Sequence, residues 1–379
     1  MPFHLLKIGG FLWAILHHPR INYRVELPDK FTNLKIINQH KLDQTYGMVM
    51  SLQYSFAQSI SDVILAVGFE NSAIRFYEGL TGNFIREVRK PRYGGEMHIM
   101  CLRFHPHEGK NHLLYASTAH GRIYCIDIRD PEITDINEER NNKVCLCSFF
   151  TEENNAILNM DFTDRGIDLI TCGSDLIVRK YNALTNQLES CWKESTQTQN
   201  PEDYAISSTR LFAIKCHPLN PEIFLTGGWD NLVKICNINN TIDAVKRVIH
   251  GVKIAGEGID IKGNEKTNQA LILTACDRAK DALQIWDYSS LDLVTTVPFD
   301  YSSAEHNGAY LLTAQFCDNN VVIAGGKGTN SMQAIDYKEK KVIGEIKFKQ
   351  PVYCLDSVFG GRHFAVGSKD GSFVCGELC

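Results

Sequence analysis

A few groupings in this 379-residue chain have residue types that could do chemistry. The run Gly325-Gly326-Lys327-Gly328-Thr329 looks like part of a phosphate-binding loop, in which backbone N–H groups and a lysine cradle phosphates. That loop needs its lysine followed directly by serine or threonine. Here Gly328 intervenes, and the run falls where two strands need a tight turn. Cys145-x-Cys147 and Cys375-x3-Cys379 offer thiols, but neither has a second ligand pair at zinc spacing. His105-Pro106-His107 with His112 presents imidazoles, yet His-Pro recurs at His217-Pro218 in the same place after a strand. These histidines therefore read as part of a repeated template rather than a metal centre. The last four residues begin with Gly376, not cysteine, which excludes a prenylation box. The expectation is a non-enzyme with no catalytic residue, no metal and no cofactor.

The elements around these residues are those of a packed globular chain. Hydrophobic residues make up 44%, aromatics 10% and charged residues 22%, which excludes a disordered protein. The net charge of −5 gives no electrostatic footprint for wholesale nucleic-acid binding and no polybasic arm for a membrane surface. Thirteen cysteines lie mostly inside apolar runs such as Val144-Cys145-Leu146-Cys147, which reads as free thiols in a reducing compartment. Residues 1–16 are apolar but broken by Gly9-Gly10, and the stretch 9–16 is far short of the ~20 residues that cross a bilayer. With only Lys7 ahead of it and His17-His18-Pro19-Arg20 behind, it is a poor signal peptide and reads better as a docking element or a frayed apolar start.

One pattern repeats along the chain: an apolar strand, a tight turn of small residues, then a second apolar strand closed by a bulky residue and an acid or amide. The closing pairs are Tyr77-Glu78, Ile126-Asp127, Tyr181-Asn182, Cys236-Asn237, Trp286-Asp287, Ile335-Asp336 and Gly376-Glu377. From the turn residue to the closing pair the step is six in five repeats, starting at Asn71, His120, Asp175, Asp230 and Asp370. The fifth and sixth repeats carry extra residues around 278–281 and 328–331. Alternating strands precede the hairpins, as in MCLRFHP, LFAIKCHP and PVYCLDSV, and more polar strands follow at 84–88, 187–192 and 342–346.

This arrangement resembles the WD-repeat β-propeller family over about residues 46–379, although only Trp286-Asp287 is the literal dipeptide and the His–Ser/Thr–Asp–Trp network of typical blades is incomplete. The resemblance implies an all-β fold: a seven-bladed β-propeller whose four-stranded blades leave no long sheet edge exposed. The seventh blade runs out of chain after three strands, so an N-terminal strand is expected to complete the ring. Residues 31–38 (FTNLKIIN) are the first choice and 21–27 the second. The chain thus divides into an N-terminal segment with the closing strand, 1–45, and the propeller, 46–379.

By family analogy the residue before each tight-turn Asp points to the top face, which makes Glu70, Ser174, Trp229 and Lys369 candidate partner contacts. A large aromatic at an exposed turn is suited to anchoring a protein partner, so Trp229 leads this group, with capping of its own blade as the other reading. The resemblance also implies that long connections at 90–96, 193–210 and 299–310 lie on that face. The set Arg86, Arg89, Lys90, Arg92 and Tyr93 reads as solvated basic surface, with an acidic peptide or microtubule-type partner as the alternative. The ending Ile126-Asp127-Ile128-Arg129 is similar to the box by which WD-repeat substrate receptors dock on a cullin–RING ligase adaptor, with Asp127 and Arg129 as the contacts.

The resemblance therefore implies a non-catalytic scaffold that binds a peptide or helix of another protein, as a monomer within a larger complex. It would be intracellular, with the cytoplasm expected and nucleus or cilium open. A ligase substrate receptor is the alternative. The segment 217–235 also resembles repeats of dynein intermediate chains, which opens a motor or ciliary assembly role. An enzyme would need clustered ionisable residues around the central channel, and no such cluster is visible in the repeats.

Overall fold

The computed structural model describes residues 30–56, 60–89, 98–130, 148–163, 165–192, 209–240, 244–264, 267, 269–302 and 308–379. Its strands form seven four-stranded antiparallel sheets. The innermost strands are Val49–Tyr54, Ile99–Phe104, Ile157–Phe162, Leu211–Cys216, Ile259–Asn264, Leu311–Phe316 and Val352–Val358. Each packs against the next, and the seventh packs against the first. That circle makes the protein a seven-bladed β-propeller. Among the described residues no helix is long and apolar enough to cross a membrane.

Burial falls from the axis outward. The second and third strands of blade six, Val321–Gly326 and Ser331–Asp336, are buried throughout, as strands covered on both faces must be. Outer strands such as Gln187–Trp192 are mostly exposed, which is why they are polar. Among the described residues, seven apolar clusters occupy the seven blade-to-blade interfaces. The one between blades seven and one joins Cys354, Ala365 and Phe373 to Leu52, Val67 and Tyr77.

The ring is closed by Leu34–Lys41, which pairs antiparallel with Ser372–Leu378 from Leu34 opposite Leu378 to Lys41 opposite Ser372. The Asn33 and Thr32 N–H groups donate to the Cys379 carbonyl, and the Cys379 N–H returns to Asn33. The expected strand at 31–38 therefore begins three residues early. Phe31 is not a strand residue but a fully buried plug, packed with Cys317 and Val321 of blade six and with Leu355 and Leu378 of blade seven. The second choice, 21–27, and the apolar segment 1–16 lie outside the described residues, as do Cys145 and Cys147.

The tight turns repeat at atomic detail. In blades one, three, four and seven the side chain of Asn71, Asp175, Asp230 or Asp370 accepts the N–H two residues on, from Ala73, Ile177, Leu232 and Ser372. This is an Asx turn, and it explains why an acid or amide recurs there. The next residue swings to positive φ: Ser72, Gly121, Leu176, Asn231 and Gly371 in the five repeats of constant step. The longer turns of blades five and six end the same way, at Asp281 and Asn330.

Behind the turns, blade five ties Trp286 Nε1 to Thr274 Oγ1 at 3.0 Å. Blade three uses a different knot. The fully buried carboxylate of Glu152 accepts Thr171 Oγ1 (2.7 Å) and Tyr181 Oη (3.0 Å) on one oxygen. Its other oxygen takes Asn155 Nδ2 (2.6 Å) and Arg179 (2.8 Å), and Arg179 reaches on to Asp175 (2.5 Å). Gly376, in the place of a bulky closing residue, is dictated by packing: a Cβ there would lie 2.2 Å from the ring of Phe364.

Candidate interaction face

The turns that bear Asp230 and its counterparts gather at one end of the strands and make one face of the ring. Of the four residues proposed for that face, two serve the turns themselves. Glu70 accepts the Met48 N–H at 3.0 Å, and Ser174 accepts the Ala156 N–H at 2.9 Å while donating to Asn155 at 3.1 Å. Lys369 and Trp229 are exposed. Trp229 keeps 46% of its surface in water although it is the largest apolar side chain type. Phe212 lies under it with ring centroids 5.0 Å apart, and the Lys253 ammonium sits 5.8 Å over the indole. The ring is thereby held in place yet open on one side.

Next to Trp229, a cleft of about 700 Å³ opens between blades five, six and seven. Lys253, Asp277, Tyr310, Lys327, Lys349 and Pro351 line it. Asp277 sits between two ammonium groups, Lys327 at 2.7 Å and Lys253 at 3.3 Å. Lys327 belongs to the glycine run singled out in the sequence. There the N–H groups of Lys327 and Gly328 donate to the carbonyls of Tyr310 and Ala309, so they are spent on the turn.

Asp127 and Arg129 are together at the opposite end of blade two. Arg129 donates to both carboxylate oxygens, at 3.1 and 2.8 Å, and its side chain is 65% exposed. The basic set is different from its expectation. Arg86 is not solvated surface: it donates to the carbonyls of Ile128 and Asp130, tying the outer strand of blade one to blade two. Arg89 pairs with Glu87 and covers the ring of Tyr46. Lys90, Arg92 and Tyr93 lie outside the described residues, as do all of the connection 90–96, most of 193–210 and the middle of 299–310.

The histidines do not converge. His105 packs against Phe162 (centroids 5.0 Å) and its Nδ1 accepts the His107 N–H at 3.1 Å, whereas His112 faces Asp127 at 3.7 Å. Nine of the eleven described cysteines are buried. Burial pushes the thiols of Cys101, Cys236 and Cys317 up to about 12, so they are protonated at neutral pH.

The axis holds what the sequence reading missed. Each innermost strand contributes one polar side chain at the same height: Gln53, Arg103, Asp161, Lys215, Asp260, Gln315 and Asp356. The expectation that no ionisable cluster surrounds the channel is thus corrected. Asp161, Asp260 and Asp356 each accept an N–H of the following blade's inner strand, from Cys216, Phe316 and Tyr54, at 2.8 Å. Arg103 pairs with Glu257 at 2.9 Å and Lys215 with Asp260 at 3.0 Å. Gln53 and Gln315 both donate to Asp356. The cavity left among them is about 30 Å³, room for a water molecule or two. The ring is a set of rivets between blades. Its signal was present in the quoted strands, where Arg103, Lys215 and Asp356 hold the same place, but residues some fifty positions apart meet only once the circle closes.

The fold and its turns define a seven-bladed β-propeller with an exposed tryptophan and a cationic cleft on one face. No family model matches the chain, and no curated protein matches it.

Proposed function

We propose that this chain is a non-catalytic scaffold of the WD-repeat type, which holds a peptide or helix of a protein partner on the face that carries the Asx turns. The exposed, propped indole of Trp229 carries this reading. A rigid aromatic presented from a tight turn loses little conformational freedom on docking and covers a large apolar area. The repeated turn chemistry and the Trp286–Thr274 bond support the family resemblance. The test is affinity purification from the native source with wild type, Trp229→Ala and Asp127→Ala/Arg129→Ala. Trp229→Ala should weaken the partner roughly thirtyfold, the effect of losing an anchor of about 2 kcal/mol. Partner yield unchanged by that substitution rejects the reading.

A second reading, docking on a cullin–RING ligase adaptor, is favoured by one observation. The guanidinium of Arg129 is fixed by Asp127 in a two-point pair and still exposed, on the face opposite Trp229. It predicts loss of a ligase adaptor with the double substitution alone.

A further inference from the structure

The cleft beside Trp229 is cationic in a chain whose net charge is −5. Three lysines and one aspartate line it, an excess of two positive charges. Two turns and two connections supply them: Lys327 and Asp277 from the turns of blades six and five, Lys253 and Lys349 from the chain between blades. Two of the ammonium groups are aimed from aromatic platforms, Lys253 over Trp229 and Lys327 over Tyr310 at 5.9 Å. Asp277 bridges those same two groups. The molecule's own carboxylate therefore shows which chemistry this pair of lysines accepts. Lys349 is exposed and has no ion pair among the described residues, and the exposed Lys369 joins the same rim through its N–H bond to Pro351.

We infer that the cleft receives glutamate or aspartate side chains of an acidic segment in the partner, next to the apolar residue that covers Trp229. This deepens the scaffold reading and rests on it. The continuity runs through Lys253, whose ammonium sits over the indole of Trp229 and pairs with Asp277 in the cleft. An anchor and a charged pocket on one surface fit a chain with an apolar residue flanked by acids better than a free anion. Lysine suits this role, since its compact ammonium pairs with a carboxylate as a point charge and without a fixed fork geometry. A nucleic acid would need a basic track along its backbone, and the cleft is a single pocket.

The experiment uses the full chain and a fluorescein-labelled oligoglutamate peptide in anisotropy titrations, with oligolysine as the control. Oligoglutamate should bind, with affinity falling as salt rises. Lys327→Gln/Lys349→Gln should weaken it at least roughly tenfold, two partly screened ion pairs being lost. Because both side chains are exposed the variants should melt with wild type; Lys349→Gln alone, which breaks no internal pair, guards against a misfolded double variant. Equal binding by these folded variants, or displacement by inorganic phosphate at matched ionic strength, overturns the inference. Failure here with partner capture still dependent on Trp229 leaves the scaffold standing. Partner capture indifferent to Trp229 removes the scaffold reading whatever the peptide does.

Discussion

His105 and His217 occupy matching places after the inner strands of blades two and four, and both are neutral for the same reason. Burial pushes their pKa values down to about 4, and each Nδ1 is already an acceptor, from His107 in one case and from Leu219 and Asn220 in the other. The unfolded chain takes up protons near 6.5 that the folded chain refuses, so this contribution to stability is whole above about 6.5 and falls as pH drops toward 4. At its end the loss is on the order of 3 kcal/mol per histidine. Denaturant unfolding at pH 7.5 and 5 should show it. His217→Asn, which offers an acceptor but does not titrate, should shrink the difference; an unchanged pH slope in the variant shows that His217 is not responsible. The sequence made these histidines legible as template, because His-Pro recurs. It did not make Glu152 legible, since that carboxylate meets Thr171, Tyr181 and Arg179 only across strands.

At the scale of elements, the turns tie sequence to shape most tightly. A left-handed residue recurs at the tight turn of every blade, and in blade three it is Leu176 at φ 65°. A leucine pays about 1 kcal/mol for that conformation, which glycine adopts freely. Leu176→Gly should therefore stabilise the protein by up to roughly 1 kcal/mol, less the entropy glycine restores to the unfolded chain. A melt at lower temperature than wild type would show that the leucine side chain contributes more than its backbone costs. Outer strands were read to the residue at Phe84–Val88 and Gln187–Trp192, because polar alternation bounded by turns marks both ends. The closing strand was displaced by three residues because Phe31 looks like a strand residue and acts as a plug. The glycines around Lys327 mark a turn in the sequence, but its side chain's place in the cleft depends on blades five and seven, which no local pattern reports.

For the molecule as a whole, stability is distributed over seven similar interfaces, each with an apolar cluster and several with a carboxylate rivet at the axis. Removing one blade strand is then a defect in the circle rather than a local loss. Deletion of residues 1–40 takes away nearly the whole partner of Ser372–Leu378 along with the Phe31 plug. The remaining chain should not give a soluble cooperative fold. A truncated protein that melts in one step at the intact temperature refutes closure by this strand. The axial ring was invisible from the sequence for the same global reason: Gln53 and Asp356 are neighbours only in a closed propeller.

The pairing of Leu34 with Leu378 also sets a clock on biosynthesis. The strand that finishes the last blade is translated far ahead of its partner. At roughly 5–20 residues per second, it waits about 20–70 seconds for that partner. During that interval the nascent chain carries an unpaired strand and, at its growing end, a blade face without its neighbour. A nascent chain interrupted before Ser372 holds the closing strand without its partner, so the circle stays open.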